Sequence, residues 1–368
     1  MGSSDGWIVP SVFGHGRVVW DTAGFQFLAV SLTSGIVLAE FPDLQVSKLS
    51  YRFEETTSET VLIPWRDIPS NWDEATTPYG TAILLVRGST VLWGGIVVKR
   101  ERTLQGSGVS LTLATVEHYL DSVHVGDRTY SNRDQCEIVK DLVSSTLDGH
   151  RFMLSVEASP SHVRRDRTYE ADSDKTLLSA IQELSNVQGG PEWCTSWRFD
   201  GDGYLPVLTV ADRIGSIAPV TTFDESAMTS FRVLEDYTAG YGANVVWAVG
   251  STTGETRLRS DVMMAEQSYR PIVEHVVNAS SSVTRKETLN GYASAALRQL
   301  RDGTNTVEMT LSLTAAPIVY EEWKPGDVVA WTVADDRGRF AGFAHGEARV
   351  VGYDIDFSGA WTITPTLQ

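Results

Sequence analysis

Along residues 306–368, apolar and polar positions alternate in short runs separated by turn chemistry. Val307-Glu-Met-Thr-Leu-Ser-Leu313, Val350-Val-Gly-Tyr-Asp-Ile-Asp-Phe357 and Ala360-Trp-Thr-Ile-Thr364 follow the two-residue period of a half-buried strand. Between them, Trp323-Lys-Pro-Gly-Asp-Val-Val-Ala-Trp331 contains a turn: proline presets φ at the second corner and glycine supplies positive φ at the third. The run predicts uninterrupted hairpins that close the chain as a small antiparallel sheet or barrel.

The same pattern occurs at residues 81–116. Ala82-Ile-Leu-Leu-Val86 predicts a buried strand, Arg87-Gly-Ser-Thr90 a tight turn and Val91-Leu-Trp-Gly-Gly-Ile-Val-Val98 the returning strand. Gly94-Gly95 inside that strand predicts a bulge or bend. Residues 104–108 turn the chain again, Val109-Ser-Leu-Thr-Leu113 alternates, and the unit ends at residues 116–121. Upstream, residues 45–52 and 60–64 read as strands around the polar turn 54–59. The first forty residues mix short apolar runs with Gly and Ser, which fits strands or an arm.

Helical periodicity enters in the middle of the chain. Residues 132–147 carry an apolar stripe at 138, 139, 142 and 143, with Asn132 and Gln135 as a capping box. A second helix is predicted over 173–187 from Leu177, Leu178, Ile181 and Leu184, stopped by Gly189-Gly-Pro191. Residues 193–199 and 205–210 then read as a hairpin across Asp200-Gly-Asp-Gly203. Strand character returns at 230–235 and in Ala243-Asn-Val-Val-Trp-Ala-Val-Gly250. Residues 251–287 are polar and weakly patterned, which predicts an excursion, and residues 288–301 form a third helix closed by Asp302-Gly303.

At 368 residues and 42% hydrophobic content, with eleven tryptophans, the chain can bury substantial cores. No run approaches the ~20 apolar residues that span a bilayer. Residues 1–5 lack the features of a signal peptide, which predicts synthesis and first folding in a cytoplasm. A net charge of −17 argues against nucleic-acid binding, which draws on clustered Lys and Arg. Cys136 and Cys194 give neither a disulfide framework nor zinc spacing, and Cys136 reads as a buried thiol in a helix.

Chemistry-bearing motifs are few. There is no HExxH, GxSxG, Walker loop or CxxC pair, and the seven histidines are scattered. Glu117-His118 on a strand would point to opposite faces. Asp200-Gly-Asp-Gly203 lacks the third ligand and distal glutamate of a calcium loop and reads as a turn. Arg164-Arg-Asp-Arg167 reads as a solvated loop beside the acidic stretch 170–174. Trp65 and Trp72 are the candidates for a sugar-stacking pair. No catalytic, cofactor-binding or metal-ligating residue is assigned.

Four features together resemble a known family. They are Val91–Val98 with 109–113 and 119–121; the helix–helix–hairpin block 126–215; Asn244-Val-Val-Trp-Ala-Val-Gly250; and Lys324-Pro-Gly-Asp-Val-Val329 followed by 350–357 and a last strand. Their order is similar to the tail hub proteins of long-tailed bacteriophages, also called baseplate hub or tail-associated minor tail proteins. Related hubs occur in contractile tails and type VI secretion spikes. The resemblance implies a β-rich α+β protein with two antiparallel β-barrel hub domains flanking an α+β domain. The domains would be 1–125, 126–215 and 216–368, the last carrying an excursion at about 251–290 and a helix at about 288–301. In this family two barrels per chain and three chains per ring give a pseudo-sixfold annulus, which adapts a sixfold tail tube to a threefold tip.

The implied protein is a non-enzymatic homotrimer of the virion, at the distal tail tip, with no cofactor. Its implied partners are the distal tail protein ring, the tape-measure protein and tail fibre or receptor-binding proteins, with DNA passing through its channel without specific binding. Relatives that carry a C-terminal wall hydrolase or fibre extension have additions absent from this sequence, so lytic activity is not implied. The alternatives are a receptor- or carbohydrate-binding tail protein using exposed aromatics, and a β-rich glycan hydrolase needing a carboxylate pair ~5–10 Å apart.

Overall fold

The computed structural model describes residues 24–238, 241–253, 256–265, 270–279, 283–335, 337–340 and 342–368. The predicted strands or arm before residue 24 lie outside the described residues. The first unit comprises β1 (Phe25–Ser31), β2 (Val37–Glu40), β3 (Gln45–Val46), β4 (Lys48–Arg52), β5 (Ser58–Pro64), α1 (Trp72–Ala75), β6 (Thr81–Arg87), β7 (Thr90–Arg102), β8 (Gly108–Ala114) and α2 (Val116–Leu120). Seven of its strands form one sheet in the order β2-β1-β6-β7-β8-β5-β3. The apolar run of β6 is continuous because both of its faces are covered. Ile83 and Leu85 face a core with Phe41, Trp93 and Leu111, whereas Leu84 and Val86 face Trp197 and Tyr204.

Gly94 and Gly95 lie in regular pairing opposite Leu84 and Ile83, and the register shifts fall on either side of them. The predicted bulge is therefore misplaced, and the glycines serve ring packing. A Cβ at Gly94 would sit 2.5 Å from Nε1 of Trp197, and one at Gly95 would sit 2.3 Å from the Trp93 ring.

The middle unit contains β9 (Arg128–Asp134), α3 (Gln135–Thr146), β10 (Ser155–Ala158), β11 (Arg164–Tyr169), α4 (Leu177–Ser185), β12 (Glu192–Phe199) and β13 (Tyr204–Ala211). β9 pairs with β11, while β10 and β12 flank β13. Cys136, Ile138, Leu142, Ile181, Trp193 and Leu208 form its core. The α3 cap differs from the predicted capping box: Asp134 accepts from the Cys136 amide at 2.9 Å, since Asn132 is held in the β9–β11 ladder region. Thr176 caps α4, later than residue 173. Arg164–Tyr169 is a strand rather than a loop, because its backbone pairs antiparallel with β9, and the Arg164 and Arg165 side chains donate to Asn132, Gln135, Gln188 and Gly189. The 200–203 turn is as predicted: Asp200 accepts from the amides of Asp202 and Gly203, each at 3.0 Å.

The last unit has β14 (Pro219–Asp224), β15 (Met228–Asp236), β16 (Val245–Thr253), β17 (Thr256–Arg259), β18 (Met263–Met264), β19 (Glu274–Asn278), α5 (Lys286–Leu300), β20 (Thr304–Ser312), β21 (Val328–Thr332), β22 (His345–Asp356) and β23 (Thr362–Leu367). A second seven-stranded sheet runs β14-β21-β22-β23-β20-β15, with β4 of the first unit added against β22. The terminal run is thus interrupted: β20 pairs with β15 and β23, not with β21. β16 does not re-enter this sheet. It is the centre of a separate small sheet with β17, β18 and β19, packed on α5 through Leu289 and Ala293.

Both large sheets face one core. Phe41, Leu49, Trp93 and Leu111 from the first pack with Phe223, Met309, Trp323, Tyr353 and Ile363 from the second. The molecule is β-rich, with 47% strand and 16% helix.

Candidate assembly surfaces and the joint behind them

The three units meet at Tyr353 of β22. Its ring stacks on Tyr51 of β4 at 5.6 Å between centroids and meets Trp323 edge-on at 6.0 Å. Its hydroxyl donates to the Leu92 carbonyl. The Tyr51 hydroxyl accepts from the Thr195 amide at 3.2 Å, and Trp93 Nε1 donates to the Ser50 carbonyl at 2.9 Å. Glu117 is fully buried beside this cluster; one carboxylate oxygen accepts from the Thr195 hydroxyl at 2.6 Å and the other has no hydrogen-bond partner. Burial pushes the Glu117 carboxyl above its ordinary value, against the opposing hydroxyls of Thr195 and Thr115. The same burial pushes the Cys194 thiol up to about 12 and Cys136 up to about 11, so neither is a reactive thiolate.

A second joint is ionic. Arg349 of β22 grips Glu192 of β12 with both guanidinium ends, 2.7 Å on the Nη1 side, and donates to the Ile214 and Gly326 carbonyls at 2.9 and 3.0 Å. Its guanidinium lies 5.3 Å from the Phe53 ring centroid. The 324–327 turn takes the predicted form, with Gly326 at φ +99° and the Asp327 amide donating to Lys324 at 3.0 Å. It packs so closely on Gly215 that a Cβ there would come within 2.1 Å of Gly326. Asp327 also accepts from the Ser216 amide at 2.9 Å, so this turn seats the exit of the middle unit.

Among the described residues, each large sheet ends in strands that carry a ladder on one side only. In each large sheet the two terminal strands are sequence neighbours: β2 and β3 joined through residues 41–44, β14 and β15 through Glu225–Ala227. At the first edge lies a groove of about 620 Å³, lined by β1, β3 and β5 and by Phe357 and Trp361. At the second, β15 offers nine residues with a ladder on one side only among the described residues.

The residues weighed for chemistry do not converge. Glu117 and His118 lie on the helical turn α2, not on a strand, and diverge: Glu117 points inward while His118 meets the Tyr79 hydroxyl at 2.9 Å. Trp65 is tied to the Gly106 carbonyl at 2.7 Å, and Arg100 and Arg102 lie over the Trp72 ring, each 5.2 Å from its centroid. Two guanidinium groups therefore cover the Trp72 ring, whereas Trp65 remains 41% exposed. Among the described residues no group of three His, Cys, Asp or Glu is placed to hold a metal ion. No helix among the described residues is long and apolar enough to cross a membrane. Arg349 and Tyr353 escaped sequence reasoning, and Glu117 was weighed only beside His118, because their partners lie 157, 261 and 78 residues away and leave no local spacing to read.

No protein-family model and no curated protein sequence matches the chain. Solved structures do. A tail protein from Neisseria meningitidis aligns with a TM-score of 0.51 at 14% identity, covering 94% of this chain and 96% of that one. The tail protein of prophage MuSo2 from Shewanella oneidensis aligns at 0.50 and 12% identity, covering 93% and 98%. A chain of the Francisella PdpA–VgrG complex aligns at 0.51 and 10% identity, covering 93% of this chain and 52% of that one. At such identities the shared property is the fold, and the fold of this chain is that of phage and prophage tail proteins.

Proposed function

We propose that the protein is a structural, non-enzymatic tail hub, a homotrimer at the distal tip of a phage tail. One observation carries this reading: a four-strand key occurs twice in one chain. In β5–β8 the spatial order is β6-β7-β8-β5, and in β20–β23 it is β21-β22-β23-β20. Each key is a three-strand meander whose last strand pairs with the strand preceding the meander, a Greek-key arrangement. Two like elements per chain, repeated in three chains, offer six similar positions to a sixfold tube and a threefold face to the tip. The expected neighbours are the distal tail ring, the tape-measure protein and fibre or receptor-binding proteins. The domains proposed for this role are 1–125, 126–215 and 216–368.

The same ring would pass DNA without binding it, since like charge removes the phosphate attraction. Residues 1–125, 126–215 and 216–368 carry 13, 15 and 19 carboxylates against 8, 10 and 12 basic residues, so every domain could contribute acid to a lumen. The carbohydrate-binding alternative would have to displace Arg100 and Arg102 from the Trp72 ring before that ring could stack on a sugar. Electron microscopy of the purified protein and of the virion tests the proposal. A ring of threefold symmetry with a central hole supports it, and a monomeric copy in intact particles refutes it.

A further inference from the structure

We propose that Glu117 and Glu54 form a pH-sensitive latch that holds the middle unit on the first and lets it swing away as pH rises. Both carboxyls belong to the first unit, and they hold alternate residues of β12. Glu54 accepts from the Trp193 amide at 3.1 Å, and Glu117 accepts from the Thr195 hydroxyl at 2.6 Å. The Thr195 amide in turn donates to the Tyr51 hydroxyl of β4 at 3.2 Å. Beside these ties the contact is apolar, with Trp197 and Tyr204 buried against Leu84, Val86 and Val116. Arg349 ties Glu192, at the start of β12, to the last unit. Loss of the two carboxyl ties therefore leaves an ionic pivot about which the middle unit can turn.

The surroundings of Glu117 supply no counter-charge. Among the described residues, the ionisable groups coupled to it are Tyr51 of β4 and Cys194 of β12, and burial pushes both up, Cys194 to about 12. His118, its neighbour on α2, is turned to the Tyr79 hydroxyl, and Asp121 at the end of α2 accepts from the Thr176 hydroxyl at 2.8 Å. Glu183 of α4, which packs on α2, is paired with Lys175. Loss of the Glu117 proton thus leaves a charge that the closed contact solvates poorly, with one oxygen lacking a hydrogen-bond partner among the described residues. Glu54 is raised chiefly by burial; Glu192 adds to the shift, while the Trp193 amide and Arg349 oppose it. Both folded values are raised, so the latch is at full strength below the ordinary value of 4.5. Between that value and the folded one, each carboxyl raises the opening constant by up to about tenfold per pH unit.

Hydrogen exchange of the full chain between pH 4 and pH 8 tests the latch, each rate being divided by that of the unstructured amide. The Trp193 and Thr195 amides donate across the contact and so report on it directly. Their protection should fall as pH rises, on the order of tenfold per unit within the window, while amides inside α3 keep theirs. In Glu117→Gln, which cannot ionise, the total fall should be smaller by about tenfold or more, and adding Glu54→Gln should flatten the profile. Protection independent of pH in the parent overturns the proposal whether or not the variants fold, and an equal fall in parent and Glu117→Gln overturns it as well. A fall shared by α3 also overturns it, because the middle unit would then be unfolding rather than swinging away.

Discussion

At the scale of single residues, the joint contains a buried acid and two glycines that act by absence. Burial disfavours the charged form of Glu117, so its folded value is raised above the unfolded one. Its contribution to stability is therefore full below the ordinary value of 4.5 and is lost as pH rises through the folded value. Glu117→Gln keeps the neutral shape. It should match the parent at pH 4 and exceed it at pH 8 by about 1–3 kcal/mol, read from urea midpoints. A parent and variant with parallel pH profiles would contradict this. Gly94→Ala should cost about 1–3 kcal/mol, because the added methyl meets Trp197 and Leu84 within 2.6 Å. Gly291→Ala in α5 meets nothing within 4 Å and should stabilise by ~0.5–1 kcal/mol. The same chemical change thus has opposite signs at two sites. The glycine pair was legible as unusual, but not its reason, because Trp197 lies a hundred residues downstream.

At the scale of elements, alternation and turn chemistry were enough to find most strands. The period-two runs at 109–113 and 350–357, the Pro325-Gly326 turn and the 200–203 hairpin all stand as read, because each is decided by neighbours in sequence. Pairing was not legible. β4 and β5 flank a short turn, yet β4 pairs with β22 and β5 with β8. Likewise the stretch at 243–250 has the apolar content of a core strand but becomes the centre of a separate sheet, because α5 covers one of its faces. The joints follow the same logic. Arg349→Ala should cost about 2–4 kcal/mol, since it strands the partly buried Glu192 carboxylate and frees the Ile214 and Gly326 carbonyls. The double variant Arg349→Ala with Glu192→Ala should recover part of that loss in a mutant cycle; a strictly additive result would deny the coupling.

At the scale of the whole molecule, the repeated key and the shared core say different things. The keys are alike in strand order, which favours equivalent positions in a ring. The core is common, so the chain does not behave as independent beads: Phe41 and Leu111 are buried against Trp323 and Tyr353 from the other end of the sequence. The candidate surfaces were legible only as patterns of edges, since which edge stays open depends on pairings hundreds of residues apart.

The strand exchange through β4 also has a consequence for biosynthesis. Arg52 and its acceptor Tyr353 are separated by 301 residues, so β4 leaves the ribosome long before β22 exists. At ~5–20 residues per second, the interval is on the order of tens of seconds. During that time Leu49 and Tyr51, both buried in the finished protein, have no second sheet to enter. The nascent chain must therefore pass through a stage in which the apolar side chains of β4 that the native state buries lie open, and a chaperone with an appetite for short extended segments would meet them there.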